Sequence, residues 1–226
     1  MNLASMIDHT LLSPSATSQD IDRLCAEAIT HGFASVCVLP SRVKQAAARL
    51  KDSSVAVCTV IGFPLGGTST AGKCAEATQA LLDGATEVDM VVNIGLVKEG
   101  AWDAVSADIR AVRDVFYDDL LNDNLVKVIF ETCLLSEEEK RELARQCAAL
   151  HIDFVKTSTG FSTGGATIED VALLKEEVQG LCQVKASGGV RTRETALAMI
   201  AAGATRLGTS HGVAIISSGV ASKDGY

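Results

Sequence analysis

The chain has 226 residues, 47% of them hydrophobic and 21% charged, the make-up of an ordinary globular protein. Lys and Arg number 20 against 28 Asp and Glu, and the formal net charge of -8 argues against a basic nucleic-acid binder and a polybasic membrane surface. Aromatics are only 4%, so Ala, Val, Ile, Leu and Cys must build the core, and a chain of this length buries roughly 70% of its unfolded surface without needing disulfides.

Short β-branched runs fall at 6–8, 34–39, 55–61, 87–93, 125–131, 152–157, 181–187 and 204–208. Between them lie helical patterns with start and stop signals. Thr17 with Asp20 opens one that Gly32 stops, and another ends at Gly84. Ser136-Glu137-Glu138-Glu139 is a capping box for a helix reaching Leu150. Thr167 with Asp170 opens a helix expected to run to Gly180, and a further one ends at Gly203. Near-continuous apolar strands alternating with helices imply a parallel sheet built from βαβ units. The landmarks Asp8, Cys37, Cys58, Asp89, Lys127, Lys156, Lys185 and Leu207 recur about every 28 residues, which suits a single (β/α)8 TIM barrel spanning 1–226. A doubly wound open sheet would show the same alternation.

The polar residues favour the barrel. Lysines sit within three apolar runs, at Lys127, Lys156 and Lys185, and an acid within a fourth, at Asp89. Charges in buried strands are costly unless paired or used. One such lysine reads as a rim residue reaching solvent; three with an acid on four successive strands read as a cluster inside the barrel. A lysine with an ordinary pKa near ~10.4 is a poor nucleophile, and a second ammonium in a desolvating pocket disfavours its charge and frees the amine for Schiff-base formation. Lys156 and Lys185 are one barrel unit apart and so fall on adjacent strands, with Asp89 placed to move protons.

Gly-rich segments follow the last two strands, Ser187-Gly188-Gly189-Val190-Arg191 and Gly208-Thr209-Ser210-His211-Gly212. Alone each reads as an ordinary turn; together, after strands seven and eight, they read as the recurrent phosphate site of barrels. The polar segment 157–165 belongs to the same mouth. A competing signal lies at 67–73, which matches the G-x-x-x-x-G-K of a P-loop, although Cys74 stands where a hydroxyl should hold magnesium. The seven cysteines form no C-x-x-C pair and mostly sit in apolar stretches, so they read as small hydrophobes in a reducing compartment. His9, His31, His151 and His211 have no metal or triad spacing; His31 and His151 fall at helix ends, and His211 adjoins the phosphate segment. With no signal-peptide pattern and no apolar run near ~18 residues, a cytoplasmic protein is expected.

Asp8-His9-Thr10-Leu11-Leu12, Gly62-Phe63-Pro64-Leu65-Gly66, Glu87-Val88-Asp89-Met90-Val91-Val92-Asn93-Ile94-Gly95, Phe154-Val155-Lys156-Thr157-Ser158-Thr159-Gly160 and Val184-Lys185-Ala186-Ser187-Gly188-Gly189-Val190-Arg191 together resemble the 2-deoxyribose-5-phosphate aldolase family, in order and over essentially the whole chain. The resemblance implies a (β/α)8 barrel and a class I aldolase that needs no metal and no other cofactor. Its reaction is the reversible cleavage of 2-deoxy-D-ribose 5-phosphate to D-glyceraldehyde 3-phosphate and acetaldehyde, in deoxynucleoside catabolism. It makes Lys156 the Schiff-base nucleophile, Lys185 the lysine that activates it, and Asp89 the proton donor and acceptor. Asp8 becomes an acid that orients the lysines, Gly188, Gly189 and Ser210 the phosphate cradle, and Tyr226 a C-terminal tyrosine that assists proton exchange. Small phosphorylated sugar and aldehyde substrates are then the expected partners, with no nucleic acid and no membrane, and the resemblance allows a homodimer. Three residues depart from the family pattern: His211 in place of a small residue, Leu39 where many short members carry Asn, and Phe161 in place of a lysine. A P-loop nucleotide-binding protein and a non-catalytic phosphosugar-binding barrel are the alternatives.

Overall fold

Side chains of a strand alternate between two faces, and in this chain one face is mostly apolar while the other carries Asp8, Glu87, Asp89, the strand lysines, Arg206, Cys37 and Cys58. The computed structural model, which describes residues 2–117 and 124–217, resolves this alternation by closing the sheet. Eight parallel strands follow one another around a barrel: β1 (Ile7–Leu11), β2 (Ser35–Val38), β3 (Ala56–Ile61), β4 (Glu87–Val91), β5 (Leu125–Ile129), β6 (Phe154–Lys156), β7 (Gln183–Ser187) and β8 (Arg206–Thr209). β1 pairs with β2 on one side and with β8 on the other, which excludes the open sheet. The connecting helices are α1 (Ser18–His31), α2 (Val43–Leu50), α3 (Thr70–Leu82), α4 (Ile94–Lys98) with α5 (Trp102–Phe116), α6 (Glu137–Ala149), α7 (Ile168–Glu177) and α8 (Arg193–Ala201); α9 (Gly212–Ser217) follows β8. Among the described residues no helix is long and apolar enough to cross a membrane.

Capping chemistry sets the helix ends. Thr17 and Asp20 form a reciprocal capping box at α1, and Gly32 ends that helix at φ 67°, where an L side chain would be strained. Ser136 and Glu139 do the same at α6. Thr167 caps α7 as expected, but the helix stops at Glu177, before Gly180, because Gln179 already turns left-handed at φ 48°.

The outward faces of the strands supply Val36, Val88, Val126, Val155, Val184 and Leu207, all fully buried against helix residues such as Ala28, Ala46, Ala77, Ile109, Leu143 and Val171. Small helix residues let each helix approach the sheet closely, which is how a core with few aromatics fills its space. Trp102 packs against this layer at the start of α5. Inside the barrel a second, smaller apolar cluster holds Leu12, Cys37, Cys58 and Val60, with Leu39 and Phe63 packed on it.

The P-loop reading of 67–73 is overturned here. Ser69 caps α3 by accepting from the Gly72 amide. Lys73 is fully buried, and its ammonium donates to Asp108 Oδ2 at 2.6 Å and to the Val91 carbonyl at 3.0 Å. Asp108 Oδ1 accepts from Thr70 at 2.7 Å, so both carboxyl oxygens are satisfied. A P-loop lysine must face an open anion site; this one is closed in by α5 and β4.

Candidate active site

Inward-facing residues in register bring the charged groups together. Lys156 and Lys185 are direct partners across β6 and β7, Asp89 is opposite Lys127 across β4 and β5, and Lys185 is opposite Arg206 across β7 and β8. Asp89, fully buried, is the hub. Its Oδ2 accepts from Lys156 Nζ at 2.7 Å and from Lys185 Nζ at 2.7 Å. Its Oδ1 accepts from Lys127 Nζ at 3.0 Å and from the Cys58 thiol at 3.2 Å.

The network extends toward the N-terminal end of the barrel. Asp8 lies between Lys185, 2.5 Å from Oδ2, and Arg206, 2.6 Å from Oδ1. Glu87 bridges Lys127 at 2.6 Å and Arg206 at 3.2 Å. Three carboxylates thus face four cations. Lys127 and Lys185 each have two carboxylate partners, whereas Lys156 has Asp89 alone among the described residues.

Burial by itself would raise the Asp89 carboxyl, but the ammonium groups of Lys127, Lys156 and Lys185 outweigh it and hold the group well below the usual carboxylate range. Asp8 behaves likewise: burial opposes ionisation, and Lys185, Arg206 and Lys127 overcome it. Burial pushes Lys185 down, yet Asp8 and Asp89 together hold its ammonium above the ordinary lysine value. Lys127 is held up in the same way, chiefly by Asp89 against the cost of burial. A hydrogen bond from Cys58 lowers the Cys37 thiol despite burial, while burial raises Cys58. Cys37, Cys58 and Asp89 bring three ligand-type atoms within 4.8 Å of one another. A cation there would meet three ammonium groups already bonded to Asp89, so the donor set does not suit one.

Above the network a cavity of about 530 Å³ opens at the C-terminal end of the strands. Lys156 lines it, with Gly188, Gly189, Arg191, Ser210 and His211 on one side and Thr159, Gly160 and Phe161 on another. Gly188 and Gly189 both have φ 82°, a left-handed pair that residues with a side chain seldom adopt. Lys185, Asp89 and Asp8 sit beneath this cavity and do not line it. Phe161 stands exposed at the rim, edge-on to Phe63 at 5.2 Å, and Leu39 packs below. His211 Nδ1 lies 3.1 Å from Ser210 Oγ. Tyr226 lies outside the described residues.

Residues 3–221 match the family model described as DeoC/LacD family aldolase. The chain belongs to that family. The deoxyribose-phosphate aldolase of Brevibacillus brevis is 53% identical over 226 residues, covering 100% of both chains. That of a Geobacillus species is 55% identical over 215 residues, or 95% of each. The tetrameric deoxyribose phosphate aldolase of Aeropyrum pernix superimposes with a TM-score of 0.85 at 35% identity, covering 96% of this chain and 90% of that one.

Within this aldolase fold, sequence reasoning left Glu87 and Arg206 without a role. Both carry a readable signal: Glu87 is two residues before Asp89, and Arg206 two before Gly208, so each shares a face with an inward position. Glu131 was missed too, because it lies beyond the end of β5, where strand periodicity says nothing.

Proposed function

We propose that this chain is a class I aldolase that reversibly cleaves 2-deoxy-D-ribose 5-phosphate to D-glyceraldehyde 3-phosphate and acetaldehyde. The observation that carries the reading is Lys156, which lines the cavity while its ammonium shares Asp89 Oδ2 with Lys185. Four cations face three carboxylates, and Lys156, with Asp89 as its single carboxylate partner among the described residues, is the amine that meets the cavity.

The free amine adds to C1 of the open-chain sugar, and loss of water leaves an iminium. A base then takes the C3 hydroxyl proton as the C2–C3 bond breaks and its electrons move into the iminium, giving glyceraldehyde 3-phosphate and an enamine. Protonation at C2 and hydrolysis release acetaldehyde and regenerate Lys156. Asp89 is the proton carrier in this scheme, alone or through a water, with Lys185 as its partner. Asp8, held by Arg206, keeps the Lys185 ammonium oriented. The amides of Gly188 and Gly189 and the Ser210 hydroxyl are the proposed cradle for the 5-phosphate, with Arg191 at the same rim. Attraction for the anion is thereby local in a protein whose net charge is -8.

Borohydride reduction in the presence of acetaldehyde should fix a two-carbon adduct on Lys156, and Lys156→Ala should lose both the adduct and retro-aldol turnover by on the order of 10³-fold or more. Full trapping in Lys156→Ala would refute the assignment.

A further inference from the structure

Glu131 is a buried acid that the scheme above does not use. It sits two residues beyond β5, at the mouth, with only 2% of its surface exposed. Its backbone is left-handed, φ 56° and ψ 62°, a region that residues other than Gly, Asn and Asp seldom occupy. It stands at the head of the 3-10 turn Thr132–Leu134, yet its side chain makes no capping bond there. Both carboxyl oxygens turn instead to Thr159 on the next strand's loop, and Oε1 also accepts from the Cys133 thiol at 4.0 Å. Oε1 accepts from the Thr159 amide at 3.3 Å, and Oε2 accepts from the Thr159 hydroxyl.

Thr159 passes the constraint on, since its Oγ1 accepts from the Phe161 amide at 3.0 Å. Thr159, Gly160 and Phe161 form one wall of the cavity, three to five residues after Lys156. The far end of the same loop is fixed by its own backbone: the Ala166 amide donates to the carbonyls of Ser187 and Gly188 at 3.1 and 3.0 Å. Gly165 lies so close there that an added Cβ would stand 2.4 Å from the Gly188 carbonyl oxygen. Backbone pairing therefore ties the C-terminal end of the loop to the glycine pair. Next to the nucleophile, Thr157 pairs with Lys185 and Thr132 and the Ser158 carbonyl accepts from the Ser187 hydroxyl, and from Thr159 onward the wall is held by the Glu131 side chain. A loop without regular structure keeps a defined wall only if its polar groups are bonded at both ends.

We infer that Glu131 is a positioning residue that sets affinity for the phosphorylated sugar by holding the wall 159–161 against the glycine pair. This rests on the aldolase reading. A two-carbon aldehyde reaches Lys156 without touching that wall, whereas a five-carbon phosphate must lie along it. Loss of the contact should then raise KM for deoxyribose 5-phosphate and leave Schiff-base formation with acetaldehyde unchanged.

The test compares Glu131→Gln with Thr159→Val. Gln keeps the shape but offers an amide NH2 to one of two donors; Val removes the hydroxyl. Each variant should raise KM for deoxyribose 5-phosphate about tenfold, with kcat within about threefold and borohydride trapping of acetaldehyde on Lys156 at the wild-type rate. The double variant should be no worse than the weaker-binding single, because both remove one contact. An unchanged KM in a folded Glu131→Gln, or trapping that falls in step with KM, overturns the inference. If Glu131→Gln does not fold, Thr159→Val decides by the same two readings. Absence of cleavage by the wild-type protein would instead refute the aldolase reading itself.

Discussion

The helix layer and the barrel interior each hold a fully buried lysine, and they treat its charge differently. Lys73, between α3, α5 and β4, meets one acid and one carbonyl, and Asp108 has no other cation among the described residues. The pair is closed, and neither residue lines the cavity at the mouth of the barrel. Lys185 belongs to a network in which carboxylates are shared: Asp89 serves Lys127, Lys156 and Lys185, and Asp8 serves Lys185 and Arg206. That network has one cation more than it has acids, and its odd member, Lys156, faces the cavity. A balanced buried pair holds two elements in register; an unbalanced network leaves one cation turned to the cavity.

Substitutions should separate the two regions. The largest stability effect belongs to the closed pair. Lys73→Met leaves Asp108 as an uncompensated buried charge and should cost about 3–5 kcal/mol in chemical denaturation, with retro-aldol activity per folded molecule retained. A loss below about 1 kcal/mol would mean that the pair contributes little. In the network the expected effect is on rate. Lys185→Leu removes the second ammonium that shares Asp89 Oδ2 with Lys156 and should slow acetaldehyde trapping on Lys156 by on the order of tenfold or more. An unchanged trapping rate would show that Lys185 does not activate Lys156.

The smallest effect concerns acid stability. The Asp8 carboxyl is held below its ordinary value of 3.8, so its contribution is fully present above that pH and is lost as pH falls through the folded value. Asp8→Asn removes that dependence. Below pH 4 the variant should lose less stability per pH unit than the wild type, by up to about 1.4 kcal/mol for one proton. Equal slopes in urea titrations between pH 4 and pH 2 would count against the Asp8–Lys185–Arg206 arrangement.

Much of the architecture is legible along the chain because strand parity and helix caps are local. The capping boxes of α1 and α6 form where their Thr and Ser stand, and all eight β-branched runs become strands, although β6 shortens to three residues. Lys156, Lys185 and Asp89 are visible for the same reason, as charges at inward positions of apolar strands. Glu131 had no such signal, since its role depends on a left-handed turn and on a loop 28 residues away. The string at 67–73 carried the opposite lesson. A Gly-rich turn with a lysine at the right interval looks like an anion site, and only the packing of α3 on α5 turns the ammonium toward Asp108.

By itself the sequence determined the alternation of strands and helices, the length of each unit and the face on which the strand charges lie, because these follow from neighbours a few residues apart. Its family motifs also named the lysine pair, the acid and the glycine loops. Closure of the barrel decided which charges meet. Asp8 and Arg206 are 198 residues apart, and Asp89 and Lys185 are 96 apart. They touch because β8 returns to β1 and the inward faces converge on one axis. The count of four cations against three acids is a property of that enclosed space and of no segment of the chain, and it exists only once water has been excluded from around them.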